Sequence, residues 1–279
     1  MAVTPHALIT GACGGMGRAC ARELGRAWSL ILADVDEARL VAFAEALREE
    51  GYRVAGLSHG DLAEPGAADQ LVALARRAGP LRAVVHTAGL SPALAPWDQI
   101  LRANAVGTER LLWALEAALE PGLAAVLVAS MAGHMARPDA SLDAVLEAPL
   151  AEDFLQRAAA LLKSHATPQD PFGLATAAYG QSKRAVIRVG ERRAAAWASS
   201  AARIVSISPG LIWTPMGRRE AETNPNAGAL LARVPLGGWG SPLDISAAVA
   251  FLTSDAARFI TGCDLRIDGG LTPALRGAA

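Results

Sequence analysis

Short aliphatic runs alternate with longer segments of helical period along almost the whole chain. "HALIT" leads to a helix expected from about Met16, "SLILA" to one from Asp36, and "YRVAGL" to one near Glu64. "RAVVHT" then precedes a long helix near residues 98 to 119, "AAVLVAS" a helix through Tyr179 to about Trp197, and "ARIVSIS" closes the series. Strands that are apolar throughout, rather than alternating, are covered on both faces, so the pattern predicts a parallel sheet between two helical layers. In such a doubly wound sheet ligands bind beyond the carboxyl ends of the strands. The residues that follow each strand therefore carry the chemistry.

The first strand runs into Thr10-Gly11-Ala12-Cys13-Gly14-Gly15-Met16-Gly17. Glycines at that turn let a pyrophosphate approach the N–H groups that open the next helix. Asp34 ends the second strand, 23 residues beyond Gly11, near the spacing at which an acid meets the adenosine ribose. A carboxylate there accepts hydrogen bonds from a 2′-hydroxyl and repels a 2′-phosphate, and with no basic residue beside it NAD is favoured over NADP. Asp61, after the third strand, either reaches an adenine or caps the helix near Glu64. Asn104 falls on the inward stripe Trp97, Leu101, Asn104, Thr108, Leu111, Leu115. A buried amide needs partners, either its own backbone or a water chain beneath a site. Ser130 ends the fifth strand, where a crevice hydroxyl and a turn serine look alike. Thr214-Pro215 reads as an N-cap and first helical position.

"TAAYGQSKRA" is the most informative stretch. The chain holds 26 basic residues and only two tyrosines, and its only lysines are Lys163 and Lys183, yet Lys183 stands four positions after Tyr179. Chance placement gives such a pair in about 1 in 70 chains of this composition. One helical turn puts both on one face. An ammonium at ~4 Å, with an effective dielectric of ~20, attracts a phenolate by about 4 kcal/mol, an upper bound of roughly 3 units on the lowering of a tyrosine pKa. Lysine suits this task as a compact charge with rotatable donors.

At 279 residues, with 52% hydrophobic and 19% charged residues, one large α/β domain spanning 1–279 accounts for the pattern. A net charge of −1 and a pI near 6.5 give no electrostatic reason to expect nucleic acid or an anionic membrane as partner. Cys13, Cys20 and Cys263 are scattered and complete no zinc spacing, so no metal is expected and the thiols read as reduced. The start of the chain lacks a basic n-region, and no apolar run is long enough to span a bilayer, which points to a cytoplasmic protein.

Taken together these residues resemble the short-chain dehydrogenase/reductase family over nearly the whole chain. The T-G-x-x-x-G-x-G pattern is Thr10, Gly11, Gly15 and Gly17, and the tail "GSPLDISAAVAFLTSDAARFITGCDLRIDGG" is very like the family's C-terminal segment. The resemblance implies a single Rossmann-type domain with seven parallel strands in the order 3-2-1-4-5-6-7. It also implies a catalytic tetrad of Asn104, Ser130, Tyr179 and Lys183. Cofactor contacts would come from Thr10, Gly11, Gly15, Met16, Gly17, Asp34, Asp61, Leu62, Ala88, Gly89, Tyr179, Lys183, Pro209, Gly210 and Thr214. Tyr179 would take the hydroxyl proton as hydride passes to NAD, Ser130 would hold the substrate oxygen, and Asn104 would support a relay water. Leu90, Met131, Met135, Leu211, Trp213 and Met216 point to a hydrophobic secondary alcohol or ketone, a steroid or other alicyclic or aromatic molecule.

Two departures from the family pattern stand out. His86-Thr87-Ala88-Gly89 replaces the usual Asn-Asn-Ala-Gly, in a loop that mostly offers backbone. Ser130 and Tyr179 are 49 residues apart, with a helical insertion at approximately 136–175 that most resembles the 3α-hydroxysteroid dehydrogenase/carbonyl reductase type. The insertion reads as two short amphipathic helices broken at Pro149, expected to dock beside the long helices that commonly pair subunits in a homo-oligomer, against the alternative of a mobile lid. Two other functions stay in view, a non-catalytic dinucleotide sensor and a serine hydrolase built on Ser130 and His134.

Overall fold

The computed structural model describes residues 4–167, 172–224 and 226–277. Its strands are β1 (His6–Thr10), β2 (Ser29–Asp34), β3 (Val54–His59), β4 (Leu81–His86), β5 (Ala124–Val128), β6 (Arg203–Pro209) and β7 (Asp264–Ile267). They form one seven-stranded sheet in the order β3-β2-β1-β4-β5-β6-β7, parallel at every pairing. The order reverses between β1 and β4, which opens the crevice beyond their carboxyl ends. β1, β4 and β5 are buried nearly throughout, as continuous apolar runs require, whereas the edge strands β3 and β7 are only partly covered.

One helical layer consists of α1 (Gly15–Gly25) and α2 (Glu37–Glu49), with α12 (Pro242–Thr253) joining it late in the chain. Leu24, Leu40, Phe43, Leu47, Val249 and Leu252 fill that side. The other layer is α3 (Ala67–Ala78), α5 (Gly107–Glu116) and the long α9 (Gly173–Ser199), packed through Leu71, Leu111, Leu112, Leu115, Val189 and Trp197. Each fully buried Leu among them contributes about 1.5–3 kcal/mol. Among the described residues no helix is long and apolar enough to cross a membrane.

Two helices differ from the sequence expectation. The one expected near Glu64 begins at Ala67, because Pro65 and a left-handed Gly66 (φ 81°) hold the chain in a turn first. The one expected over residues 98 to 119 is α4 (Trp97–Leu101), a π-helical turn over Arg102–Val106, and α5. The widened turn falls on Asn104, whose side chain bonds away from its own helix.

Between β5 and α9 come α6 (Met131–Met135), α7 (Ala140–Leu146) and α8 (Phe154–Leu162). The last two are the expected insertion helices, with Pro149 between them; residues 168–171 of the insertion lie outside the described residues. Asp139 caps α7 by accepting from Ser141 N at 2.9 Å and Leu142 N at 3.1 Å. Leu142, Val145, Leu146, Phe154 and Leu162 are buried against Ile100 and Leu101 of α4 and Ala178 of α9. Asp143 pairs with Arg184 at 3.2 Å, and Glu147 with Arg188 at 2.6 Å and with Arg192. The insertion is therefore docked on the body along α9, through a third small core with an ionic seam on its flank.

Beyond β6 lie α10 (Pro215–Thr223) and α11 (Ala227–Leu231), and α13 (Leu271–Arg276) follows β7. The short α6 crosses α9 in close contact at Gly133, where a Cβ would stand 2.8 Å from both Arg184 N and Lys183 C. Those are backbone atoms of a long helix and cannot give way. Gly133→Ala should lower the melting temperature by roughly 2–10 °C. Calorimetry checks this, and an unchanged transition would mean that α6 and α9 tolerate separation.

Candidate functional site

A cleft of about 310 Å³ opens at the carboxyl ends of β1, β4 and β5, lined by Gly15, Met16, Thr87, Gly89 and Lys183 among others. Gly11 takes φ 63°, and a Cβ there would meet Ala88 N at 2.7 Å. A Cβ on Gly17 would run into the Gly11 carbonyl. Side chains are thus excluded inside the turn from β1 to α1, while Cys13, Gly14 and Gly15 line the cleft.

Asp34 accepts from Cys13 N at 2.8 Å and from Asp36 N at 3.3 Å, so its carboxylate braces the glycine turn at the cleft's edge. The expectation that no basic residue stands beside it is corrected. Arg39, in the first turn of α2, lines the cleft and donates to the Cys13 carbonyl at 3.1 Å, as does Arg18. Its place on the next helix, five positions past Asp34, hid it in the sequence. Burial and the Asp34 carboxylate push the Cys13 thiol up to about 11, so it stays protonated at neutral pH. Asp61 caps no helix, because α3 starts later; its side chain accepts from Ala63 N at 2.8 Å and closes a turn. Asp61 and Leu62 line neither this cleft nor its larger neighbour.

Beneath the cleft runs a buried polar chain. Thr108 Oγ1 donates to the Asn104 carbonyl at 2.7 Å, so it accepts from His86 Nε2 at 2.9 Å, and His86 Nδ1 in turn accepts from Thr10 Oγ1 at 2.7 Å. These roles require a neutral imidazole, and burial, with the nearby Lys183 charge, pushes the His86 pKa down to about 3. Thr10 thus serves the loop beneath the cleft and does not line it. Asn104, 1% exposed, accepts from Leu90 N at 2.8 Å and donates to Leu90 O at 3.0 Å and Ser182 Oγ at 3.1 Å. Its amide clamps the loop after β4 onto α9, a role the hydrophobic stripe signalled without naming the partners.

A second cavity of about 380 Å³ opens beside the first, sharing Met16, Tyr179, Thr214 and Met216 with it. Ser130, Met131, Met135, Pro209, Gly210 and Leu211 line it. Trp213, expected there, instead lies half-exposed outside, edge-on to the lining Trp239 at 5.1 Å, and Leu90 faces the first cleft. Ser130 caps α6 by accepting from Ala132 N at 3.1 Å, and its hydroxyl lies beside the Tyr179 phenol, so it is both the turn serine and the crevice serine. Thr214 caps α10, accepting from Gly217 N at 3.0 Å. Gly15 lies against it, where a Cβ would meet its methyl group at 2.7 Å.

Lys183 donates to Val128 O at 2.9 Å, with its ammonium 5.9 Å from the centre of the Tyr179 ring. Burial lowers its pKa to about 8, against the Glu220 charge, which raises it. The expected lowering of the tyrosine by this lysine is not what the geometry gives. Desolvation first, then the Glu220 carboxylate, hold the Tyr179 phenol above its ordinary range, and only the Ser130 hydrogen bond opposes them. The ammonium is turned to the Val128 carbonyl, 5.9 Å from the centre of the ring. His134 is no partner for Ser130: its Nε2 lies 2.7 Å from Asp264, which also accepts from Ser206 and Ser208 and so ties α6 to β6 and β7. That removes the hydrolase reading.

The chain is similar in sequence and fold to known oxidoreductases. Residues 5–142 match the family described as short chain dehydrogenase, and residues 172–272 the one described as Enoyl-(Acyl carrier protein) reductase. The "Short-chain dehydrogenase/reductase bsc3" of Alternaria brassicicola is 29% identical over 274 residues, 94% of either chain. The "2-(S)-hydroxypropyl-CoM dehydrogenase 3" of Xanthobacter autotrophicus is 29% identical over 280 residues, 95% of either chain. Among solved structures, the 3-alpha-hydroxysteroid dehydrogenase from Pseudomonas sp. B-0831 complexed with NADH superposes with a TM-score of 0.76 at 28% identity, covering 98% of this chain and 99% of that one. The chain belongs to the short-chain dehydrogenase/reductase family, oxidoreductases acting on CH–OH groups. A non-catalytic sensor has no support.

Removing the Asn104 amide frees three hydrogen-bonding groups, two of them backbone. Asn104→Ala should cost about 2–4 kcal/mol of unfolding free energy, read by denaturant titration, and loosen the loop that carries Ala88 and Gly89. Asn104→Asp, which keeps the acceptor but not the donors, should fall between.

Proposed function

We propose that the protein is an NAD-dependent dehydrogenase that oxidises a hydrophobic secondary alcohol, a steroid or other alicyclic or aromatic one, to its ketone. The observation that carries the reading is the meeting of the Ser130 and Tyr179 hydroxyls, with Lys183 behind them, at the wall of a mainly apolar cavity. A dinucleotide fits the residues present: Gly14 and Gly15, which open α1, line the cleft without side chains, where helix N–H groups can meet a pyrophosphate. When bound, the dinucleotide supplies the hydride acceptor and, oxidised, a positive charge beside the phenol. Ser130 orients the substrate oxygen, and Tyr179 takes its proton at the phenolic oxygen. Lys183, which gives one hydrogen to Val128 O, would donate another to a ribose hydroxyl. Thr214, whose oxygen accepts from Gly217 N, keeps its hydroxyl hydrogen for the carboxamide. Asn104 has both amide hydrogens on protein acceptors, so a relay water would rest on the free lone pair of an oxygen.

Met131, Met135, Leu211 and Met216 support a substrate with a large apolar surface. The protein is read as cytoplasmic and as a homo-oligomer. Because α7 rides on α9, the insertion occupies part of the face that long helices otherwise offer a second copy, and pairing there is altered rather than gated as a lid.

Tyr179→Phe should bind NADH as the wild type does, by fluorescence titration, and lose at least about 10²-fold in kcat. Since burial and Glu220 keep the phenol protonated, alcohol oxidation by the wild type should climb as pH rises from neutrality while ketone reduction falls; a flat profile in both directions would remove Tyr179 as the base. For the cofactor, kcat/KM should favour NAD over NADP in the wild type, and Asp34→Ala should narrow the gap, with Arg39 left to meet a 2′-phosphate. A native preference for NADP would overturn the NAD assignment.

A further inference from the structure

The larger cavity holds one residue that the mechanism does not use. Glu220, on the inward side of α10, is the one charged side chain among the described residues lining it, facing Ser130 and Tyr179 across apolar walls. Its neighbours on the same helix are engaged elsewhere. The Arg218 guanidinium lies 5.6 Å from the centre of the Trp213 ring, and Arg219 faces the cofactor cleft. Among the described residues no arginine, lysine or histidine forms an ion pair with Glu220. Burial pushes its carboxyl above the usual range, opposed by the Ser91 hydroxyl and the Lys183 charge. Ser91 lies beside it, wholly buried, and its hydroxyl has no partner of normal geometry.

A carboxyl group in apolar surroundings is costly until donors satisfy it. The protein brings one hydroxyl to its inner side, and its remaining lone pairs open on the cavity in which the substrate carbinol must sit. We propose that Glu220 is a substrate-binding residue that accepts a hydrogen bond from a second hydroxyl on the substrate, so that the preferred substrates are diols or hydroxyketones on an apolar skeleton. This rests on the dehydrogenase reading above and narrows its substrate class. A hydroxyl fits better than an ammonium, because Lys183 already places a cation on that side and an oxidised nicotinamide would add another. The contact also serves the reaction: the Glu220 charge opposes ionisation of Tyr179, and a hydroxyl donating to that carboxylate disperses it.

The test compares cyclohexanol, cis- and trans-1,2-cyclohexanediol and 2-aminocyclohexanol as substrates of the wild type, Glu220→Gln and Glu220→Ala, each shown by fluorescence to bind NADH. A hydrogen bond to a charged acceptor predicts that the wild type prefers one of the diols over the mono-alcohol by at least about 10-fold in kcat/KM. The ratio should fall to within about 2-fold of unity in Glu220→Ala and to an intermediate value in Glu220→Gln, while oxidation of cyclohexanol itself rises, because loss of the Glu220 charge eases ionisation of Tyr179. The same ratios are read without turnover, as equilibrium binding of each alcohol to the enzyme–NADH complex. Should no alcohol be oxidised, the dehydrogenase reading fails, while the binding ratio still decides the role of Glu220. A wild type that treats diol and mono-alcohol alike in binding, a preference that survives Glu220→Ala, or a preference for the amino alcohol over both diols overturns the proposal.

Discussion

An ammonium group taken almost wholly out of water is the constraint around which this protein is built. Lys183 is 6% exposed and spends one of its hydrogens on the carbonyl that ends β5. Burying that charge costs several kcal/mol unless the surroundings return it, and the pKa of about 8 shows how far desolvation competes with the Glu220 attraction. Everything nearby is arranged around it. α9 must cross the sheet at a height that brings Lys183 to Val128 O, and α6 must approach α9 closely at Gly133 to put Ser130 against Tyr179. The loop after β4 has to leave room for the ammonium beside Gly89, where a Cβ would come within 3.3 Å of Nζ.

The polar side chains around the site divide their work by depth. The deepest ones, Thr10, His86, Thr108 and Asn104, bond one another or the backbone and keep the loops in place without reaching the cavities. Those nearer the surface, Ser130, Tyr179, Thr214 and Glu220, each keep part of their hydrogen-bonding capacity open to a ligand. The division follows from the cost of an unpaired polar group, which grows as water is excluded. It also explains how an imidazole serves at His86: a neutral histidine offers one donor and one acceptor, and the chain of threonines needs one of each.

The arginine excess of the chain has a counterpart in the fold. Arg184, Arg188 and Arg192 stand along α9 and face Asp143 and Glu147 of α7. On another face of the same helix, Arg193 reaches Glu109 and Glu116 of α5. Planar, multiply donating guanidinium groups suit such shared acceptors. Lysine remains at Lys183, where a compact charge must fit beneath a loop.

Much of this was legible along the chain because it depends on local chemistry. Apolar runs without alternation specify buried parallel strands, and the glycines after β1, Thr214-Pro215 and the Tyr179–Lys183 spacing each need only their own neighbours to have meaning. What the tertiary structure alone decided is how charges from distant segments meet. Arg39 folds back to the glycine turn, Glu220 comes from α10 to act on Tyr179, and the lysine expected to lower that tyrosine bonds a strand carbonyl instead. Electrostatic effects at a site sum over all elements that converge there, weighted by burial. Periodicity records which face of an element is covered, but not what covers it.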